Sequence, residues 1–392
     1  MYSIKRSVTA VMLISGMAAL CFFGCKKDQK GAPSTIATTS KDTIISPDIL
    51  AKIKAAGFST KNAIKMNEGY LVEGDIMLTD AFLNSNYVNS KMVIAAGKGP
   101  HLAADQYSVT SPLSLPHTSL TTYKVLVSGL SSDYSTAAVT AISRYNSLNL
   151  GIRFQSVASG PADVVITGYT DASTTLEAYS GFPVNNVIYN AIHLNQHWCT
   201  VATTANILFT ASVIQHELGH CIGMRHTDYA NTTYSCGTSG GTGELNDPSG
   251  AVLIPGTPSG PDALSYMLAC NDFVSNRTFN ANDKIALNYL FPYVTINGAG
   301  SYNWFNGNGS GSGTINSNPG TLVYVTVSAF GPGTTTYFAM TGAPLNGAPG
   351  GVVYMQNNTS THSFVMPSSG SVNWNGSFTR TGTSGAGDIA VN

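Results

Sequence analysis

The stretch QHELGHCIGMRHTDY, residues 215–229, carries three histidines, one glutamate and two glycines at spacings that decide how the chain around it folds. An apolar run enters it, so residues 207–221 read as a long helix that ends at Gly223. Side chains four apart share a helix face. His216 and His220 can therefore reach one ion, with Glu217 projecting toward the same side. Gly223 permits a sharp turn, and the turn brings His226 back as a third ligand. Three neutral imidazoles with an open fourth position suit catalytic Zn2+. Glu217 is placed as the base that takes a proton from water and passes it to a leaving amine.

Written out, the pattern is H-E-x-x-H-x-x-G-x-x-H, the metzincin signature. Together with EGYLVEGDI upstream (68–76) and SYMLAC downstream (265–270), IQHELGHCIGMRHTD resembles the dual-action HEIGH metallopeptidases, a protease-B-like family. The resemblance spans about residues 57–292, with Leu218 where the family name has isoleucine. It implies peptide-bond hydrolysis and a metzincin-type catalytic domain, in which a twisted mixed sheet of five strands packs on two core helices. It also implies zinc on His216, His220 and His226, Glu217 as catalyst, and Met267 in the methionine-bearing turn beneath the metal. Ala269 stands where some metzincins carry an additional tyrosine ligand. The segment VEGDI (72–76) resembles the aspartate switch of astacin pro-peptides. On that reading Asp75 occupies the zinc in place of water, and residues 47–117 form a pro-segment. The alternative is that Gly74-Asp75 simply reverses the chain between two strands.

The 392-residue chain as a whole fits an α+β catalytic domain followed by an all-β domain. Charged residues make up 10%, against about 25% in ordinary soluble proteins. The net charge of −1 offers no electrostatic footprint for nucleic acid. Residues 47–56 read as a short amphipathic helix, 131–146 as a second, and 283–290 as a last helix capped by Asn282. Strands are expected at 123–127, 152–154, 164–166 and 187–194, the alternation of an α/β or α+β domain. His193 and His197 are four apart but follow a strand, so they line a cleft or form a second metal site. Asp228, just past His226, either orients a ligand or caps the loop. Beyond residue 293, four short β segments suggest a small sandwich. It reads either as a spacer or as a module binding a glycan or surface ligand, with Trp304 or Trp374 as stacking platform.

At the other end, Lys5 and Arg6 precede an apolar run that closes at Gly24-Cys25. This resembles a bacterial lipobox: residues 1–24 as signal peptide, Cys25 acylated, and 25–46 as a tether holding the protein to a membrane outside the cytoplasm. An ordinary secretory signal is the alternative. In such an oxidising compartment, Cys199, Cys221, Cys236 and Cys270 are expected to form two disulfides, of open pairing, around the histidine motif. The expectation is thus a zinc endopeptidase acting on polypeptides. Its rivals are a surface-binding lipoprotein on a metzincin scaffold and an amidase of cell-wall peptide.

Overall fold

The computed structural model describes residues 44–85, 106–240, 251–258, 260–297, 309–330, 333–347, 351–356, 358–380 and 386–391. Cys25 with its flanking signal and tether, Trp304 and most of the 236–262 loop's centre lie outside these residues.

Two helices supply much of the first hydrophobic core. The first follows two short ones, α1 (Pro47–Ala55) and α2 (Asp80–Leu83). It is α3 (Ser132–Asn146), and it places Tyr134, Ala137, Ala138, Ala141, Ile142 and Tyr145 on one buried face. Those positions step by three and four, as an amphipathic helix requires. The second, α4 (Thr204–Ile222), starts at Thr203, whose side chain accepts the Asn206 N–H. From Phe209 to Ile222 only His216 escapes full burial, so α4 is a central helix rather than a surface one. It stops at Gly223, whose φ of 110° is left-handed. A Cβ there would also come 2.7 Å from Pro112, so both conformation and space call for glycine.

An eight-stranded mixed sheet backs the helices. Its strands are β1 (Ile64–Met66), β2 (Gly69–Val72), β3 (Ile76–Leu78), β5 (Thr121–Val127), β6 (Ile152–Val157), β7 (Val164–Tyr169), β8 (Ala178–Gly181) and β9 (Ala191–Asn195), in the order β1-β2-β3-β8-β9-β7-β5-β6. Strands β6, β5, β7 and β9 run parallel, and β8 is antiparallel to β9. These five come from residues 121–195, the number the family resemblance implies. The other three come from the segment ahead of Gln106. Its β3 adds to β8 in parallel, pairing Ile76 with Ser180 and Met77 with Gly181. Gly181 admits this neighbour, since a Cβ there would lie 2.6 Å from the Met77 carbonyl. The exit from α4 is held by a small sheet in which β4 (Tyr107–Ser108) pairs with β10 (Met224–Arg225) and β11 (Val252–Leu253).

Two sequence expectations shift here. The strand expected from residue 187 begins at Ala191, because Asn185 and Asn186 are both left-handed (φ 53° and 61°) and make a tight turn closed by a Val184–Val187 bridge. The last helix, α6 (Ala281–Leu290), is capped by Asn280 rather than Asn282. Asn280 accepts the Asp283 N–H at 2.9 Å and Asp283 accepts the Asn280 N–H at 2.9 Å, a reciprocal capping box. Asn282 turns instead to Asp262.

Further along, β12 to β19 build two antiparallel sheets, ordered β12-β13-β18-β15-β16 and β17-β14-β19. The ranges are Thr295–Asn297, Gly309–Asn316, Leu322–Phe330, Thr334–Thr341, Val352–Gln356, Thr359–Val365, Ser371–Arg380 and Ala386–Val391. Both contribute to one core that includes Val325, Phe338, Phe364 and Trp374. Trp374 therefore cannot be an exposed stacking platform. It is 4% exposed and stacks on Phe338, because it alternates inward on β18 with Val372 and Phe378.

The cysteines also depart from expectation. Cys236, in α5 (Thr233–Gly240), is bridged to Cys270, whereas Cys199 and Cys221 are buried thiols. Cys199 Sγ donates to the Glu177 carbonyl, and both thiols pack inside the same core as the two long helices. One bridge is present where two were expected. It closes 34 residues. By chain-entropy reasoning, replacing both Cys236 and Cys270 by serine should lower unfolding stability by about 3–4 kcal/mol. A denaturant titration checks this.

Candidate metal centre

Four side chains converge where α4 faces the β2–β3 turn: Asp75, His216, His220 and His226, each with one donor atom within 4.8 Å of the others. Among the described residues this is the only group of three or more potential ligands so arranged. His216 and His220 project from one face of α4, and the left-handed Gly223 returns the chain so that His226 meets them. Backbone carbonyls aim the first two. His216 Nδ1 lies 2.7 Å from the Tyr266 carbonyl and His220 Nδ1 2.8 Å from the Met224 carbonyl. A carbonyl can only accept, so each Nδ1 carries a proton and each Nε2 is the atom that faces the cluster.

The fourth member comes from the turn joining β2 to β3. Glu73 (φ 52°) and Gly74 (φ 99°) are both left-handed, and the turn carries Asp75 to the cluster. Asp75 Oδ2 is 3.2 Å from both His216 Nε2 and His226 Nε2, and Oδ1 is 3.8 Å from His220 Nε2. The Asp75 carbonyl accepts the Ser180 N–H of β8, which fixes the residue against the sheet edge. The segment reverses the chain and brings Asp75 to the histidines.

The donor set fits a zinc ion. His220 Nε2 and His226 Nε2 face each other at 3.2 Å. A tetrahedral ion with bonds of about 2.0–2.1 Å would hold its donors roughly 3.3 Å apart. Asp75 Oδ1 is buried without a hydrogen-bond partner, as an acceptor aimed at a cation would be. The clustered side chains also act strongly on one another's protonation. Burial would raise the Asp75 pKa, but the His226 charge and the hydrogen bonds from the imidazoles hold it well below the usual carboxylate range. Burial opposes a charge on His216, yet Asp75 outweighs it and lifts the imidazole to about 9. His220 is driven down to about 4, chiefly by burial. Glu217 is pushed up to about 8 by burial and then by the Asp75 charge.

The turn that carries Met267 is tied to the histidine cluster at both ends. Tyr266 supplies the carbonyl that orients His216, and the Met267 carbonyl accepts the Thr227 N–H next to His226. Met267 is fully buried, and a Cβ on Gly219 would come 2.5 Å from its Sδ. The glycine inside HELGH is therefore what lets the turn approach the helix. Two carboxylates brace it. Asp283 accepts from Ser265 Oγ, Tyr266 N and Gln106 Nε2. Asp228 accepts from Ala269 N and Ser235 Oγ, so it fastens the turn's exit rather than a ligand. The bridge at Cys270 locks the same exit.

His193 and His197 do not make a second cluster. His193 Nε2 pairs with Glu68 at 3.1 Å, its Nδ1 shares a hydrogen bond with Thr167, and its ring stacks on Tyr179. His197 packs against Trp198. Sequence reasoning missed Arg225, inside the histidine motif itself. Its guanidinium is fully buried, Nη2 reaching both Glu73 carboxylate oxygens at 2.8 Å and Nη1 the Gly57 carbonyl at 3.1 Å. A buried arginine two positions past a glycine turn has no sequence signal distinct from a solvated one.

No curated protein matches the chain. Among solved structures, myroilysin matches with 18% identity and a TM-score of 0.31, over 47% of this chain and 98% of that one. High choriolytic enzyme 1, a hatching-enzyme zinc protease of the medaka fish Oryzias latipes, matches with 16% identity and a TM-score of 0.29, over 46% and 95%. The family model of the dual-action HEIGH metallopeptidases matches residues 88–291, more than half of the chain, and the whole HELGHCIGMRH motif falls inside it. On that match the chain belongs to the dual-action HEIGH metallopeptidases.

Proposed function

We propose that the protein is a zinc-dependent endopeptidase, that Glu217 is its general base, and that the segment ahead of Gln106 keeps it latent through Asp75; this segment is shorter than the 47–117 expected, because Tyr107–Ser108 pair with β10. One observation carries the reading: a single Asp75 oxygen lies 3.2 Å from two of the three converging Nε2 atoms. His216, His220 and His226 would hold the ion. When bound, zinc supplies Lewis acidity for the scissile carbonyl and for the attacking water.

The chain's own groups do the rest. Glu217 follows His216 on α4, and its buried Oε2 is free to accept a proton from water and deliver it to the leaving amine. Strand β8 borders the site and offers backbone hydrogen bonds to an extended chain, the mode by which β3 now adds to it. While β3 is there, a substrate strand cannot be, and while Asp75 is at the histidines, water is displaced from the position Glu217 must serve. The catalytic groups stay assembled in the latent form, so activation needs only departure of the segment.

The test is hydrolysis of an unfolded protein by the zinc-loaded chain after limited proteolysis of the segment. Internal cleavages that vanish with a chelator and return with zinc are expected. Release of terminal residues alone would remove the endopeptidase reading, and no hydrolysis at full zinc occupancy would favour a binding role for the scaffold. The membrane anchor at Cys25 is part of the same proposal, and mass spectrometry of the mature N-terminus tests it.

A further inference from the structure

At β8 one face of the sheet belongs to α4 and the other is covered by the segment. Ser180 Oγ donates to the Glu217 carbonyl, so Ser180 faces α4. Alternation along the strand sends Tyr179 and Gly181 to the opposite face. There Tyr179 stacks on His193 of β9, with ring centroids 4.6 Å apart, and meets Tyr169 of β7 at 6.0 Å. Leu176 and Tyr189 pack against these rings, and every other apolar member of the cluster comes from the segment: Leu71, Met77 and Met66. Met77 is 1% exposed and pairs with Gly181 in the β3–β8 ladder. A Cβ on Gly181 would lie 2.6 Å from the Met77 carbonyl and 2.7 Å from the Tyr189 ring. The glycine thus leaves room for an added strand and for the tyrosine beside it.

We infer that this aromatic shelf is a substrate subsite: a strand that takes the place of β3 on β8 seats a large apolar side chain on Tyr179, where Met77 sits in the latent chain. This rests on the reading that the segment departs and that β8 then takes a substrate strand. Met77 lies two residues past Asp75, whose carboxylate is at the histidines. At about 3.3 Å of rise per residue, two residues of strand span roughly 7 Å. The side chain read by the shelf therefore belongs to a residue within three of the cleaved bond. The rings are held by elements that remain. Tyr179 and His193 are opposite each other in the β8–β9 ladder, and His193 Nδ1 lies 3.0 Å from Thr167 Oγ1. Departure of the segment takes away Leu71, Met77 and Met66 together and exposes the shelf as a contiguous aromatic patch. Main-chain hydrogen bonds to an added strand are made whatever its sequence, so selection falls to the side chains that alternate onto each face. A methionine or leucine covers the rings again, alanine is too short to do so, and glutamine covers them only by giving up the hydration of its amide.

The experiment compares peptides that carry Met, Gln or Ala in turn at each position within three residues of the cleaved bond. The enzyme is the zinc-loaded full-length chain activated by limited proteolysis. We expect a position at which Met raises kcat/KM about tenfold or more over both Gln and Ala, as burial of a large apolar side chain would. At that position Tyr179→Ala should bring the ratio to near one, and Tyr179→Phe, which keeps the ring, should retain it. Binding gives a second readout, independent of turnover and of variant folding. A synthetic 64–78 peptide should bind the processed wild-type protein about tenfold or more tightly than its Met77→Ala twin. A Lys65→Ala twin, altered at an exposed position, should bind as the parent does. Equal cleavage of the Met, Gln and Ala peptides at every position overturns the inference and leaves the peptidase reading intact. So does equal binding of the parent and Met77→Ala peptides, or an equal loss in both twins. A Met preference that survives at every position in a folded Tyr179→Ala variant overturns it too. Absence of any hydrolysis at full zinc occupancy overturns the peptidase reading, and the inference falls with it.

Discussion

Glu217→Gln should lower kcat of the activated protein by about 10²- to 10⁴-fold while zinc still binds at one ion per chain. The substitution keeps size and shape on a helix where Leu218, Gly219 and His220 are all buried, so α4 should not reorganise. The amide cannot accept the proton from water at the rate a carboxylate does. The three imidazoles are untouched, and the carbonyls that orient two of them belong to other residues, so metal affinity should change little. Metal analysis and steady-state kinetics on the same sample separate the two effects. Loss of zinc together with loss of activity would assign Glu217 a structural part instead.

Asp75→Ala should raise the activity of the unprocessed, zinc-loaded chain toward a short peptide by at least about 10²-fold. That figure corresponds to roughly 3 kcal/mol of occlusion, the gap that keeps a site closed about 99% of the time. Asp75 brings a buried anionic oxygen to the histidines, and alanine brings none. The variant still keeps β3 on β8, Glu73 on Arg225 and Glu68 on His193. A large protein substrate should therefore remain partly excluded, which is why a short peptide is the sensitive reporter. Unchanged latency in Asp75→Ala would mean that strand addition alone blocks the cleft.

The histidine geometry was legible in the sequence because it depends on a local rule. Residues 216 and 220 share a face in any α-helix, and a glycine at 223 is the ordinary way to end one and turn back. The segment VEGDI was legible only through resemblance, since the turn's arrival at the histidines depends on β3 finding β8 some 100 residues away in sequence. Contacts made by tertiary structure alone left no local trace. Nothing in the order of residues tells that Glu73 pairs with Arg225, 152 positions apart, or that Asp283 serves the methionine turn as well as its own helix. The misplaced cap has another cause. Asn280 and Asn282 are both good capping residues and both donate to Asp262; what makes Asn280 the cap is the reciprocal pair of bonds it forms with Asp283. Trp374 was misread for a related reason: short alternating strands indicate two faces but not which one meets the other sheet.

The latent metal site can be examined directly by diffraction from the zinc-loaded, unprocessed protein at wavelengths on either side of the zinc absorption edge. One anomalous peak is expected, bonded at about 2.0–2.2 Å to Nε2 of His216, His220 and His226 and to an Asp75 carboxylate oxygen. A peak elsewhere, or a peak on the three histidines with Asp75 withdrawn and water in its place, would contradict the account.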